Sequence, residues 1–274
     1  MLTEMINEIY NFSKFENGID SSIRFISNTK YSNGITKESF EVIKRVNNQD
    51  KGHYTIINSP TIPYSKDDQI TLIKKLTEEL NKYLSNIDHN NVLVVGLGNR
   101  HISADSLGSK VVKNIIVTRH IENLTTLNKV SAIAPSVLGL TGIESFDIIS
   151  SVVNKIKPDL VIAIDSLCAS SHTRLGTSFQ INNSSIVPGG GVNNARVKLS
   201  SNSLGTNFIS VGVPLVIYAN TLSYSNMEEL NNMIVTLKDI EDVSNITAKI
   251  ISYSVNMSIH NLKLSEVKEY LNKI

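Results

Sequence analysis

Tryptophan is absent from this 274-residue chain, and cysteine occurs once, at Cys168. A single thiol excludes an internal disulfide framework and any cysteine-based zinc cluster. No apolar run reaches the roughly 18 residues that a membrane-spanning helix needs. An excess of either charge is also missing: 26 Lys+Arg stand against 25 Asp+Glu, a formal net charge of +1. That balance offers no electrostatic footprint for nucleic acid. The opening MLTEMINEIYNFSKFENGID mixes acidic and polar residues and lacks a secretory signal pattern. The expectation is a cytoplasmic chain with neither a nucleic-acid nor a membrane partner. No internal repeat or low-complexity linker divides it.

What is present suits a globular chain. Hydrophobic residues make up 41% and charged residues 19%, enough to bury a substantial core. Residues 1–33 are polar and weakly periodic, and they read as an N-terminal arm or a possible propeptide preceding a single domain over 34–274. SFEVIKRVNNQDKGHYTII (39–57) predicts two short strands joined by a turn. DDQITLIKKLTEELNKYL (67–84) is an amphipathic helix with Ile70, Leu72, Ile73, Leu76, Leu80 and Leu84 on one face. Unalternated apolar runs at VLVVG (92–96), LVIAID (160–165) and within FISVGVPLVI (208–217) are strands buried on both faces. Helices are expected over 107–118 and 144–156, a short strand at 131–134, and a mostly helical last third. Strands alternating with helices at this spacing imply a three-layer α/β fold, a mainly parallel sheet with helices on both faces.

In such sheets ligands gather at the carboxyl ends of parallel strands, and two aspartates qualify. Asp165 stands where the apolar run LVIAID stops. Asp105 lies in GLGNRHISADSLG, the loop after VLVVG. The plainer alternative makes Asp105 a helix N-cap and Asp165 a solvated strand-end carboxylate. Gly96, Gly98 and Gly108 do not match G-x-G-x-x-G, no G-x-x-x-x-G-K-[ST] cradle occurs, and no G-x-S-x-G elbow marks a serine hydrolase. His101 and Asp105 would share a metal only if their segment were helical. Cys168, in SLCASS, has no cationic neighbour to activate it and is expected to be buried and inert. PGGGVNNAR (188–196) offers free backbone amides that could hold a carbonyl or an anion. No cofactor and no resident metal is expected.

The segment VVGLGNRHISADSLGSKVVKNIIVTRHI resembles the VVGLGN…TPDALGP…VVxNLLVTRHL signature of the germination proteases, spore endopeptidases that degrade small acid-soluble spore proteins. The likeness continues through VSAIAPSVLGLTGIES (130–145), KPDLVIAIDSL (157–167), PGGGV (188–192) and SLGTNFISVGVP (203–214), and returns in IVTLKDIEDVSNITAKIISYSVNMSIHN. The resemblance implies an aspartic-type endopeptidase in the forespore or spore core, with Asp105 and Asp165 as the catalytic pair. Gly98, Asn99, Gly189, Gly190 and Gly191 fall on its substrate-binding loops. It also implies a tetrameric zymogen that removes its own N-terminal segment, and a fold similar to that of the hydrogenase-maturation proteases, in which matching carboxylates hold a metal. The alternatives are therefore a metal-dependent peptidase of that second type, or a non-catalytic spore paralogue binding the same substrates. The chain departs from the family pattern at Ala104 and Ser109, where the family has proline, and at Ser170, where it has a basic residue.

Overall fold

A computed structural model describes residues 3–16, 22–47, 49–189, 197–222, 230 and 233–272. In chain order the elements are α1 (Ile6–Glu16), β1 (Ile23–Lys30), β2 (Thr36–Val42), β3 (Gly52–Asn58), α2 (Lys66–Leu84), β4 (Asn91–Gly96), α3 (Leu107–Val112), β5 (Lys129–Ile133), α4 (Leu138–Thr141) and α5 (Ser145–Ile156). Then come β6 (Leu160–Ala169), β7 (Ser178–Asn182), β8 (Ser185–Ile186), β9 (Leu199–Ser200), α6 (Ser201–Leu204), β10 (Asn207–Tyr218), β11 (Ile234–Val235), α7 (Ile240–His260) and α8 (Leu264–Asn272).

Among the described residues nine strands form one mixed sheet in the order β1-β2-β3-β7-β10-β6-β4-β5, with β11 on β10. The half β10-β6-β4-β5 is parallel. The half β1-β2-β3-β7 is an antiparallel meander joined to β10. Alternation along β4 shows why both faces are apolar: Val92 and Val94 pack with α2, α3 and α7, while Leu93 and Val95 pack with α1 and α5. The expected three-layer α/β architecture is therefore present. Each fully buried Leu, Ile or Val on these faces contributes roughly 1.5–3 kcal/mol. No described helix is long and apolar enough to cross a membrane.

Three local expectations need correction. The segment 1–33, read as an arm, supplies α1 and the edge strand β1. Met5, Ile6 and Ile9 are almost wholly buried, and Tyr10 and Phe25 both pack on Phe40, with centroids at 5.4 and 5.5 Å. The helix expected over 107–118 stops at Val112. The run Ile115–Thr118 is β-branched and a weak helix former, and Asn256 of α7 pins it by accepting from Ile116 N–H (2.9 Å) and donating to Asn114 C=O (2.7 Å). The strand expected to end at Asp165 continues to Ala169, because β10 keeps pairing with it as far as Ile217.

Glycines let α3 approach β4. A Cβ on Gly108 would stand 2.4 Å from Leu97 backbone N, and one on Gly96 would stand 2.1 Å from Gly108 O. Helix propensity alone makes Gly108→Ala stabilising by about 1 kcal/mol. The backbone clash instead predicts a loss of roughly 2–4 kcal/mol. Urea unfolding of Gly108→Ala decides between the two signs, and a stabilised variant would refute the close-packing account.

Candidate active site

β4 ends at Gly96, opposite Ile164 of β6. Leu97 N–H still donates to Ile164 C=O at 2.8 Å, and the chain then leaves the sheet. It turns at Gly98, whose φ is +96°, and returns through a 3-10 turn, Ser103–Asp105. A side chain at Gly98 would meet Asp105 O at 2.1 Å and Oδ1 at 2.7 Å, so only glycine lets the loop close over this carboxylate. Asn99 backbone N–H donates to Asp105 Oδ2 (2.8 Å), and the Asn99 side-chain oxygen accepts from His101 N–H (2.9 Å). Asp105 is thus tied to its own loop. The α3 N-cap is Ser106, with no side-chain cap bond, so the N-cap alternative for Asp105 does not hold.

Asp165 lies inside β6 rather than at its end, and it is only 4% exposed. Its Oδ1 accepts from Ser166 N–H at 2.9 Å. It sits just past the carboxyl end of β4, where the loop carrying Asp105 departs. Burial pushes its pKa well above the carboxylate range, and the charges of Asp105 and then Glu4 push it further. Burial also raises Asp105, against the opposing hydrogen bond from Asn99. Two carboxylates at close quarters in a buried site do not both ionise cheaply. The solvated strand-end alternative for Asp165 fails on its burial.

A third carboxylate, Glu4, was not foreseen. Its backbone N–H donates to Cys168 C=O (2.8 Å), and its Oε2 accepts from Cys168 N–H (2.8 Å). Its carbonyl takes hydrogen bonds from Gln49 Nε2 and Gln180 Nε2, both at 3.0 Å. Burial raises the Glu4 pKa to about 7, the Cys168 amide opposing this and Asp105 adding to it. Glu8 accepts from Ser170 N–H (2.7 Å) and Ser171 N–H (3.0 Å). No sequence signal pointed to Glu4, because its segment has no motif of its own. Gln180 sits on β7, a strand too short and polar to stand out.

Gly98 and Asn99 gather around Asp105 as described, and Gly189 is in a turn with φ +68°. Gly190 and Gly191 lie outside the described residues. The chain leading into their loop, Ile186 and Val187, lines a small cavity together with Glu4, Gln49, Gln180 and Gly212. Cys168 is buried, and burial followed by Glu4 and Glu8 pushes its thiol up to about 12, which leaves it inert as a nucleophile. Among the described residues no three His, Cys, Asp or Glu side chains converge in a way that could hold a metal.

An α/β sheet with acidic groups clustered at the carboxyl end of a parallel strand belongs to the class that works at such strand ends. Comparison with known proteins narrows the class. The family model for germination protease matches residues 27–230. A germination protease of Clostridium acetobutylicum is 33% identical over 313 aligned residues covering 94% of each chain. One from Clostridium tetani is 32% identical over 267 residues, covering 81% of this chain and 83% of its own. One from Caldanaerobacter subterraneus is 44% identical over 169 residues, covering 57% and 52%. The chain belongs to the germination protease family, and with that to the peptidases of spore-forming bacteria.

Glu4 makes stability depend on pH. Its folded pKa of about 7 lies above the ordinary 4.5, so the unfolded chain loses this proton first as pH rises. The contribution of neutral Glu4 is complete below about pH 4.5 and is lost as pH rises through 7, by roughly 3 kcal/mol at most. Glu4→Gln stays neutral throughout. Urea titrations should give equal stabilities at pH 4 and a variant more stable by roughly 1–3 kcal/mol at pH 8. Equal stabilities at pH 8 would refute burial of this carboxyl.

Proposed function

We propose that the chain is an endopeptidase that begins the degradation of small acid-soluble spore proteins at germination, with Asp105 and Asp165 activating water. The observation that carries this reading is the electrostatic asymmetry of the pair. Asp165, deeply buried and facing two other acids, is the member that keeps its proton. Asp105, less shifted and holding an amide hydrogen bond that favours the anion, is the member that ionises. In this division of labour Asp105 takes a proton from water as it attacks the scissile carbonyl, and Asp165 donates its proton to the carbonyl oxygen. Collapse of the tetrahedral intermediate returns a proton to the leaving amine. Gly98 and Asn99 support Asp105, and the loop containing Gly189, Gly190 and Gly191 binds the substrate backbone.

The same reading carries, from the family resemblance, a tetramer in the forespore or spore core made with a removable N-terminal segment within residues 1–33. No particular observation favours the metal-dependent or the non-catalytic alternative.

The test is cleavage of a purified small acid-soluble spore protein, followed by mass spectrometry. Asp105→Asn and Asp165→Asn should each lower kcat by about 10³-fold or more, with circular dichroism unchanged. The wild-type rate against pH should be bell-shaped, falling in acid as Asp105 gains a proton and in alkali as Asp165 loses one. Full activity in either variant would sink the mechanism, and inhibition by chelators would restore the metal-dependent alternative.

A further inference from the structure

β6 outruns its neighbour. Backbone groups of alternate residues point to alternate edges of a strand. Because Ile164 C=O meets Leu97 N–H, the amides of Ser166, Cys168 and Ser170 face the side that β4 has vacated. Each is met by a carboxylate and not by a strand: Ser166 by Asp165, Cys168 by Glu4, Ser170 by Glu8. Thr3–Met5, which precede α1, are not helical. There the chain makes the contacts of a bound peptide. Glu4 N–H pairs with Cys168 C=O, its carbonyl is held by two side-chain amides, and Ile6 N–H donates to Gln180 Oε1 at 2.9 Å.

The register places this grip beside the acid pair. Gln180, Gly212 and Asp165 lie directly opposite one another on β7, β10 and β6, so their side chains share a face, with Gln180 and Asp165 about 10 Å apart across two strand spacings. The residue between them, Gly212, has no side chain, and the Leu167 side chain packs over it. Ser166 Oγ, at the same edge, is buried with no hydrogen-bond partner.

We propose that the edge of β6 from Ser166 to Ser170, with Gln49 and Gln180 as its carbonyl clamp, is the groove in which this protein takes an extended peptide, and that Thr3–Met5, the non-helical stretch before α1, are lodged in it. The inference rests on the peptidase reading and names a second part of the chain that binds the substrate backbone, beside the loop containing Gly189, Gly190 and Gly191. Pairing to a strand edge supplies affinity through main-chain bonds with little demand on sequence. Two neutral amide donors on one carbonyl add roughly tenfold to binding when both are present. Gln49 and Gln180 are binding residues here, distinct from the acids that do chemistry.

The test uses a fluorescein-labelled peptide, TEMINEIY, titrated by anisotropy into the full chain carrying Glu8→Gln and Asp105→Asn. Glu8→Gln sets an NH2 group against one of the amide donors of Ser170 and Ser171, which loosens the internal segment without opening the core under Met5 and Ile6, and Asp105→Asn suppresses turnover. Saturable binding is expected, weakened about tenfold when Gln49→Met and Gln180→Met are added with circular dichroism unchanged. Equal binding by both chains, or none by the first, overturns the assignment. Should those chains not fold, the native chain is irradiated with millimolar peptide bearing a photo-crosslinker at its methionine position. Adducts within 166–171 support the groove; adducts confined elsewhere, or none, overturn it. Neither readout requires catalysis, so a chain that binds the peptide here but cuts no protein would remove the peptidase reading alone.

Discussion

The local structure depends on a difference in strand length: β6 continues from Asp165 to Ala169 after β4 has stopped at Gly96. A buried strand edge with unmet amides is costly, since each orphaned donor forfeits about 1–3 kcal/mol. The chain meets those donors with carboxylates, and doing so draws Asp165, Glu4 and Glu8 to one place. The result is a concentration of acid in a buried site. Burial raises the pKa of both Asp165 and Glu4, and the neighbouring acids raise them further. The acid chemistry and the docking of the N-terminal segment are consequences of the same gap.

The second acid of the pair is placed by close backbone approach. Gly96 and Gly108 allow α3 to lie against the end of β4, and Gly98 allows the intervening loop to fold back on Asp105. α7 braces the far side. Ser244 Oγ lies 3.5 Å from Ser106 Oγ, next to Asp105 in sequence, and Asn256 holds the segment beyond α3. Asp105 is fixed by its own loop and Asp165 by a central strand, so the environments of the two acids differ even though their chemistry is the same. That difference in burial and hydrogen bonding raises the pKa of Asp165 further than that of Asp105, so two identical side chains differ in how readily they ionise.

Much of this was legible in the residues. The apolar runs around 92–96 and 160–165 marked the two strands that carry the site, and the amphipathic spacing of 67–84 marked α2. Both aspartates stood out because a charge next to a doubly buried strand has no packing reason to be there. Other features left no local trace. β7 is five residues long with Ser, Gln and Asn among them, so neither periodicity nor apolarity announced it. α1 looked like an arm because three apolar side chains, Met5, Ile6 and Ile9, suffice to bury it, too few to register as a pattern. The end of β6 was misjudged because a charge in a strand reads as a terminus, whereas this one is buried inside the strand and the ladder to β10 runs on past it.

The departure at Ser170 bears on how residues 3–8 are held. Where the family pattern has a basic side chain, this chain offers only a backbone amide, and Glu8 takes that amide together with the one at Ser171. A cation at position 170 would meet Glu8 as an ion pair, whose strength depends on salt and on both groups being charged. Two amide hydrogen bonds to one carboxylate, in a residue only 7% exposed, are short-ranged and weakly screened. Such amides are also the groups an extended peptide would use along the same edge. In this chain the internal segment and an incoming backbone would therefore compete for one set of donors, with no side-chain charge at 170 to favour either.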